Sequence, residues 1–215
     1  MTCLVWAAVF AMFVVVLLGY FLGCLNGSVL VSHFIIRDDV RQHGSGNAGL
    51  TNFYRTYGAK YALGVILLDM GKTVAACLLG SFFFRCLGWD GTLGTLLAGL
   101  GCELGHIFPV FYGFRGGKGI LSGGTLVLLL NWRVALIAWG LFALLWLTTR
   151  YVSLGSITAA VSMPVSTWFL CGHNGLYTSL TVIIAALVLW CHRENIQRLL
   201  RGQERKFHWH TGPEK

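Results

Sequence analysis

Apolar residues come in six long runs, at roughly 4–25, 61–86, 92–110, 119–147, 151–171 and 175–191, separated by short polar stretches. A helix crosses a bilayer with about 20 predominantly apolar residues, so most of these runs predict one crossing each. The run 119–147 is longer, and Asn131, Trp132 and Arg133 interrupt it. It reads as one span or as two short ones, 119–130 and 134–149.

The distribution of positive charge decides between them, because cytoplasmic loops carry the excess of Lys and Arg. With seven spans and the N-terminus outside, 13 of the 16 Lys and Arg residues fall on one side. Arg85 and Arg133 fall on the other, and Lys72 lies within a span. With six spans the split is 6 inside against 8 outside, and Arg133 sits in the bilayer. The sequence therefore predicts an all-α integral membrane protein, a single polytopic domain of seven transmembrane helices, with a cytoplasmic C-terminus. Segments 37–60, 111–119, 150–156 and 192–206 then share the cytoplasmic face.

Composition agrees with the bilayer as solvent. The chain is 56% hydrophobic and 11% charged, where a soluble domain carries about 25% charged residues. The start, "MTCLVWAAVFAMFVVVLLGYFLGCL", lacks a basic n-region and a small-residue cleavage site, and reads as a retained span. A net charge of +8 suits loops facing anionic lipid or an anionic substrate. Nucleic acid is not expected as a partner, since there is no long soluble basic segment. The seven cysteines form no C-x-x-C and the seven histidines show no ligand spacing with them. They predict apolar fillers and no metal site.

The chemistry concentrates in the polar segments. In "RQHGSGNAGLTNFYR", residues 41–55, Gly44, Gly46 and Gly49 fit G-x-G-x-x-G. A dinucleotide site would need a strand before them and a βαβ unit around them, and membrane runs stand there instead. What remains is a loop whose glycines let backbone N–H groups approach an anion. Ser45, Asn47, Thr51 and Asn52 are polar contacts, and Arg55 is a bidentate phosphate donor. The second segment, "FYGFRGGKG", fails the Walker A pattern because Tyr112 and Gly119 stand where Gly and Ser or Thr belong. Gly116, Gly117 and Gly119 around Lys118, with Arg115 beside them, predict a cationic phosphate nest at a helix start. Both segments also fit ordinary solvated turns, a reading that weakens once two such loops share one face.

Two further segments contribute. Ser153 and Ser156 lie three apart at a span entrance, where serines commonly cap helices. His192 and Asn195 lie one helical turn apart, and Ile196, Leu199 and Leu200 make 192–206 an interfacial amphipathic helix. His192 is suited to position or to protonate a substrate oxygen, with a general-base role as the rival reading. Within the spans, Asp69–Lys72 and Glu103–His106 are i, i+3 pairs, and charges there are paired or functional. Asp69–Lys72 predicts a structural pair or a support for the cationic site, and Glu103–His106 a support for the second loop. His33 and Asp38 have the H-x4-D spacing of soluble-type glycerolipid acyltransferases, but no companion motif follows, and the spacing reads as coincidence.

Together "GSGNAGLTNFYR", "LDMGK", "GHIFPVFYGFRGGKGI", "RYVSLGS" and "HRENIQRLLRGQERKF" resemble the bacterial membrane acyltransferases that use acyl phosphate and glycerol 3-phosphate, in order and spacing, from about residue 19 to 207. The resemblance implies seven spans in the cell membrane. It implies transfer of a fatty acyl group from acyl phosphate to the 1-hydroxyl of sn-glycerol 3-phosphate, the first step of phospholipid synthesis, with no cofactor. It also implies a functional link to an acyltransferase that makes acyl phosphate. By motif, Ser45, Arg55, Lys118, His192 and Asn195 are the expected catalytic residues. Gly116, Gly117 and Gly119 are expected to hold glycerol 3-phosphate, and Glu204 to hold the last motif in shape. The chain departs from the pattern at "GCLN" (23–26) and at "RDDVR" (37–41). The alternative function is a transporter of a phosphorylated metabolite, which would also use cationic broken helices. It would need polar residues reaching both faces, and the motifs sit on one.

Overall fold

The structure, a computed structural model, describes residues 2–207. Ten α-helices follow in order: α1 (Thr2–Gly23), α2 (Gly27–Val31), α3 (Leu50–Tyr57), α4 (Ala59–Cys86), α5 (Gly91–Ile107), α6 (Ile120–Leu130), α7 (Trp132–Thr149), α8 (Val152–Leu170), α9 (Gly175–Cys191) and α10 (Arg193–Leu200). No strand occurs among the described residues. Among them, five helical segments are long and apolar enough to cross a membrane. A sixth qualifies when α9 and α10, bent by 60° at His192, are taken together. The remaining apolar helix, α6, has only 11 residues.

The break at 131–133 has a local cause. Asn131 is extended, ends α6, and caps α7 by accepting from the Arg133 N–H. Its Nδ2 also donates to the Leu170 carbonyl at the far end of α8 (3.2 Å).

After the first span the chain breaks at Gly23, re-forms the short α2 under an Asn26 cap, and passes through a π-turn (Ser32–Ile36) and a 3-10 turn (Val40–Gln42). One expectation needs correction: 192–206 is not one amphipathic helix. Gly202, at φ +67°, ends the helical part, and residues 203–207 form an irregular strap. On α10, Leu200 of the apolar stripe is 84% exposed, as a side chain facing the bilayer interface would be.

Close packing comes from small residues on α5. A Cβ at Gly101 would lie 2.1 Å from the Val16 carbonyl oxygen, and one at Gly105 would lie 2.0 Å from that of Tyr20. Only glycine lets α1 and α5 approach this closely, the usual device where apolar burial cannot draw helices together in lipid. On the other side of α5, Gly94 meets Gly80 of α4 in the same way.

A buried charge cluster fixes the place where α1 breaks. Lys72 and Asp69 on α4 form an ion pair of 2.7 Å, 6% and 1% exposed. Lys72 Nζ also donates to the carbonyls of Gly23 and Leu25 (3.1 Å each) and to His106 Nδ1 on α5 (2.9 Å). Asp69 Oδ1 accepts from the Gly27 N–H (3.0 Å). The pair thereby satisfies backbone groups that the broken helix leaves open.

Removing one member of such a pair strands the other in an apolar interior. Asp69→Asn is expected to destabilise the protein by about 3–5 kcal/mol, read as a lower thermal-unfolding midpoint in detergent. An unchanged midpoint would mean that Lys72 finds its charge balance elsewhere.

Candidate active site

The first loop is wound around one side chain. Gly44 and Gly46 take left-handed conformations (φ +60° and +70°), which turn the chain back over α3. The buried Asn52 amide fills the turn. Its Oδ1 accepts from the Ser45 N–H (2.9 Å), and its Nδ2 faces the carbonyls of Val40, His43 and Asn47 at 3.0–3.2 Å. Asn52, expected as a phosphate contact, therefore spends its hydrogen-bonding groups on loop shape. Ser45, Asn47, Thr51 and Arg55 remain along the open side.

The second loop lies flat on the end of α5. The Gly117 N–H donates to the His106 carbonyl (3.0 Å) and the Gly116 N–H to that of Ile107 (3.2 Å). A Cβ on Gly117 would meet the His106 ring at 2.1 Å, and one on Gly119 would meet Glu103 Oε1 at 1.6 Å. This corrects the expected nest. The N–H groups of Gly116 and Gly117 are turned to α5 and cannot cradle an anion. The two glycines are needed for close approach, and the Glu103–His106 pair is the surface they lie on. The cationic element of this loop is Lys118, at the entrance to α6.

The loops are joined to one another. The Gly116 carbonyl accepts from the Ala48 N–H and from Asn47 Nδ2 (3.2 Å each), and Arg41 Nη1 donates to the Tyr112 carbonyl (2.8 Å). Asn26, which the sequence reading met only as a departure from the pattern, donates to the Ala48 carbonyl (3.1 Å). The extra aspartate is absorbed locally: Asp39 pairs with Arg41 (2.9 Å). Asp38 bonds His43 and Tyr57 (2.9 Å each) and makes no bond to His33.

Glu204 organises the opposite wall. Its Oε1 accepts from Ser153 Oγ on α8 (2.8 Å) and from Asn195 Nδ2 on α10 (2.7 Å). Its Oε2 pairs with Arg198 Nε (2.8 Å). Burial raises its pKa, and the hydrogen bonds from Asn195, Arg198 and Ser153 outweigh that, leaving the carboxyl below its ordinary value. The Asn195 amide is thus orientated, and its Oδ1 accepts from Lys118 Nζ. Burial first, and then the charge of Arg198, lower the Lys118 pKa.

His192 stands at the bend between α9 and α10. Its Nδ1 lies 2.8 Å from the Val188 carbonyl, so that nitrogen carries the proton and Nε2 is left as an acceptor. Burial, with the nearby Lys118 charge, pushes its pKa down to about 4. The imidazole is neutral at pH 7.

These parts line one cavity of about 960 Å³. It holds Ser45, Gly46, Asn47, Thr51 and Arg55 from the first loop, Arg115 to Gly119 from the second, and Ser153, Ser156, His192, Asn195 and Glu204 from the rest. Gly44 and Lys72 lie outside it, and Asp69 borders its floor. Sequence reasoning missed Arg198, Arg205 and an aromatic wall of Trp139, Phe142 and Trp146 on α7. The spacing of that wall, 139, 142 and 146, is one helix face, a signal hidden inside a uniformly apolar run. Next to Gly119, Trp139 and Phe142 the cavity meets an apolar cleft between α6, α7 and α8, lined also by Gly124, Ala138 and Met163.

A cavity with cations, an orientated amide, a neutral imidazole and an apolar side cleft suits an anionic substrate with a lipid tail. Residues 13–202 match the family model described as glycerol-3-phosphate acyltransferase. A glycerol-3-phosphate acyltransferase of Finegoldia magna is 37% identical over 187 residues, covering 87% of this chain and 91% of that one. The crystal structure of PlsY (YgiH), an integral membrane glycerol 3-phosphate acyltransferase, in its glycerol 3-phosphate form has a TM-score of 0.81 and 35% identity. That comparison covers 92% of this chain and 96% of that one. The lysophosphatidic acid form of the same protein gives 0.79 and 34%, covering 92% and 95%. The loops, the cavity and the match over nearly the whole chain converge: this multi-pass membrane protein is an enzyme of the glycerol-3-phosphate acyltransferase family.

Proposed function

We propose that the acyl donor is acyl phosphate and that the reaction runs at the cytoplasmic face of the cell membrane, with the chain crossing seven times and its N-terminus outside. The observation that carries the donor reading is the excess of cations in one cavity. Arg55, Arg115, Lys118, Arg193, Arg198 and Arg205 face it, against Asp69, Glu194 and Glu204. Two phosphate-bearing substrates must be held side by side, and this charge suppresses their repulsion and orients them. The 13-to-2 charge asymmetry supports the orientation, and α6 is then a short or tilted crossing. The apolar cleft beside Trp139 is the place for the acyl chain.

Acyl phosphate carries its own leaving group, so no covalent enzyme intermediate is required. The 1-hydroxyl of glycerol 3-phosphate attacks the acyl carbon, and the bond from that carbon to the phosphate oxygen breaks. The hydroxyl proton passes to the departing phosphate, giving lysophosphatidic acid and hydrogen phosphate. His192, neutral with Nε2 free to accept, orients the hydroxyl. Asn195, fixed by Glu204, and Lys118 hold the glycerol 3-phosphate side, with Ser45 and Arg55 opposite. The donor must be supplied by an enzyme that makes acyl phosphate.

Purified protein given palmitoyl phosphate and glycerol 3-phosphate is expected to release inorganic phosphate, and to form no lysophosphatidic acid from palmitoyl-CoA. Turnover with palmitoyl-CoA alone would remove the donor assignment. The imidazole makes a second prediction. Because its pKa lies near 4, His192→Ala should lower kcat yet keep the shape of the pH–rate profile around neutrality. A loss of about 10²–10⁴-fold together with disappearance of the neutral limb would make His192 the general base instead.

A further inference from the structure

The six cations that face the cavity are of two kinds. Lys118, Arg193 and Arg198 have partners: Asn195 for Lys118, the Trp190 ring and carbonyl for Arg193, and Glu204 with Glu194 for Arg198. The guanidiniums of Arg55, Arg115 and Arg205 make no hydrogen bond or ion pair with the described residues, although all three line the cavity. The charge of Arg115 adds slightly to the lowering of the Asp39 carboxyl pKa. Arg55 and Arg205 line the same cavity with like charge. Besides burial, the Arg205 charge is the largest influence on the Arg55 guanidinium.

This repulsion is held in place by the strap. On one side of Arg205, Glu204 is bound by Ser153, Asn195 and Arg198. On the other, the Phe207 N–H donates to the Arg150 carbonyl (2.7 Å). The Phe207 ring stacks on Tyr54 (5.4 Å, 27°) and meets Trp146 edge-on (5.4 Å, 82°). Tyr54 directly precedes Arg55. A solvated arginine on a free tail would swing away from a like charge. Here the backbone on both sides is pinned, so an anion bound by both guanidiniums would offset the cost.

We propose that Arg205 and Arg55 form a phosphate subsite of their own, apart from the Lys118–Asn195 centre. It takes a phosphate monoester group, which two guanidiniums bind by paired N–H donors. The inference rests on the reading that two phosphorylated substrates meet in this cavity, since two phosphates need two subsites. Phe207 is its positioning residue.

The test varies each substrate in turn for wild type, Arg205→Gln, Arg205→Lys and Lys206→Gln. Lys206 is exposed, sits over the Tyr151 ring and does not line the cavity, so its loss controls for strap charge alone. Arg205→Gln is expected to raise KM for one phosphorylated substrate about ten-fold, the worth of a charge-assisted hydrogen bond, with kcat nearly kept. Arg205→Lys should recover most of it, and Lys206→Gln should match wild type. A rise for palmitoyl phosphate assigns the subsite to the donor, and a rise for glycerol 3-phosphate to the acceptor. Unchanged KM values in Arg205→Gln, or an equal rise in Lys206→Gln, overturn the subsite. If wild type releases no phosphate, the donor reading fails separately. The subsite is then read from inorganic-phosphate binding to wild type and Arg205→Gln, which the variant must weaken.

Discussion

The site depends on an ion pair that never touches the open cavity through its lysine. Lys72 and Asp69 lie in the apolar interior, where an unpaired charge would be far costlier than at the surface. Between them they close the broken end of α1, start α2, and hold His106. From α2 the order passes through Asn26 to Ala48 in the first loop. From His106 it passes through the backbone to Gly117 in the second. The two loops then share the Gly116 carbonyl. Two segments about seventy residues apart become one wall because a single charge pair fixes both of their roots.

The facing wall has a different logic. Glu204 reaches back from an irregular strap and gathers donors from α8 and α10. Its charge turns the Asn195 amide so that the carbonyl end meets Lys118. One wall is set by a charge pair in the apolar core and the other by a carboxylate hub at the rim. The cavity lies where they meet.

The helices were largely legible in the sequence because apolar runs and their interruptions are local. Asn131 ends α6 and caps α7 through its own side chain, so the break could be read from residues 131–133 alone. The contents of the cavity were legible from cation and glycine clustering. What was not legible depended on partners distant in sequence. Asn52 has the same side chain whether it binds phosphate or fills its own loop. Gly116 and Gly117 look like an anion nest until α5 is seen to take their N–H groups. Arg205 is exposed and reads as an ordinary surface charge until Phe207 is seen to fix the strap beside it. The α7 aromatics form a face, and a uniformly apolar helix gives no reason to choose that face.

Amide hydrogen exchange in Lys72→Met tests the central claim most directly. The account predicts that the Ala48 and Gly117 amides, bonded to the Gly116 and His106 carbonyls, are protected in wild type. In the variant both should lose protection together, while the amides of α8 and α9 stay protected. Protection retained at both loops in Lys72→Met would contradict the claim that the buried pair holds the two loops together.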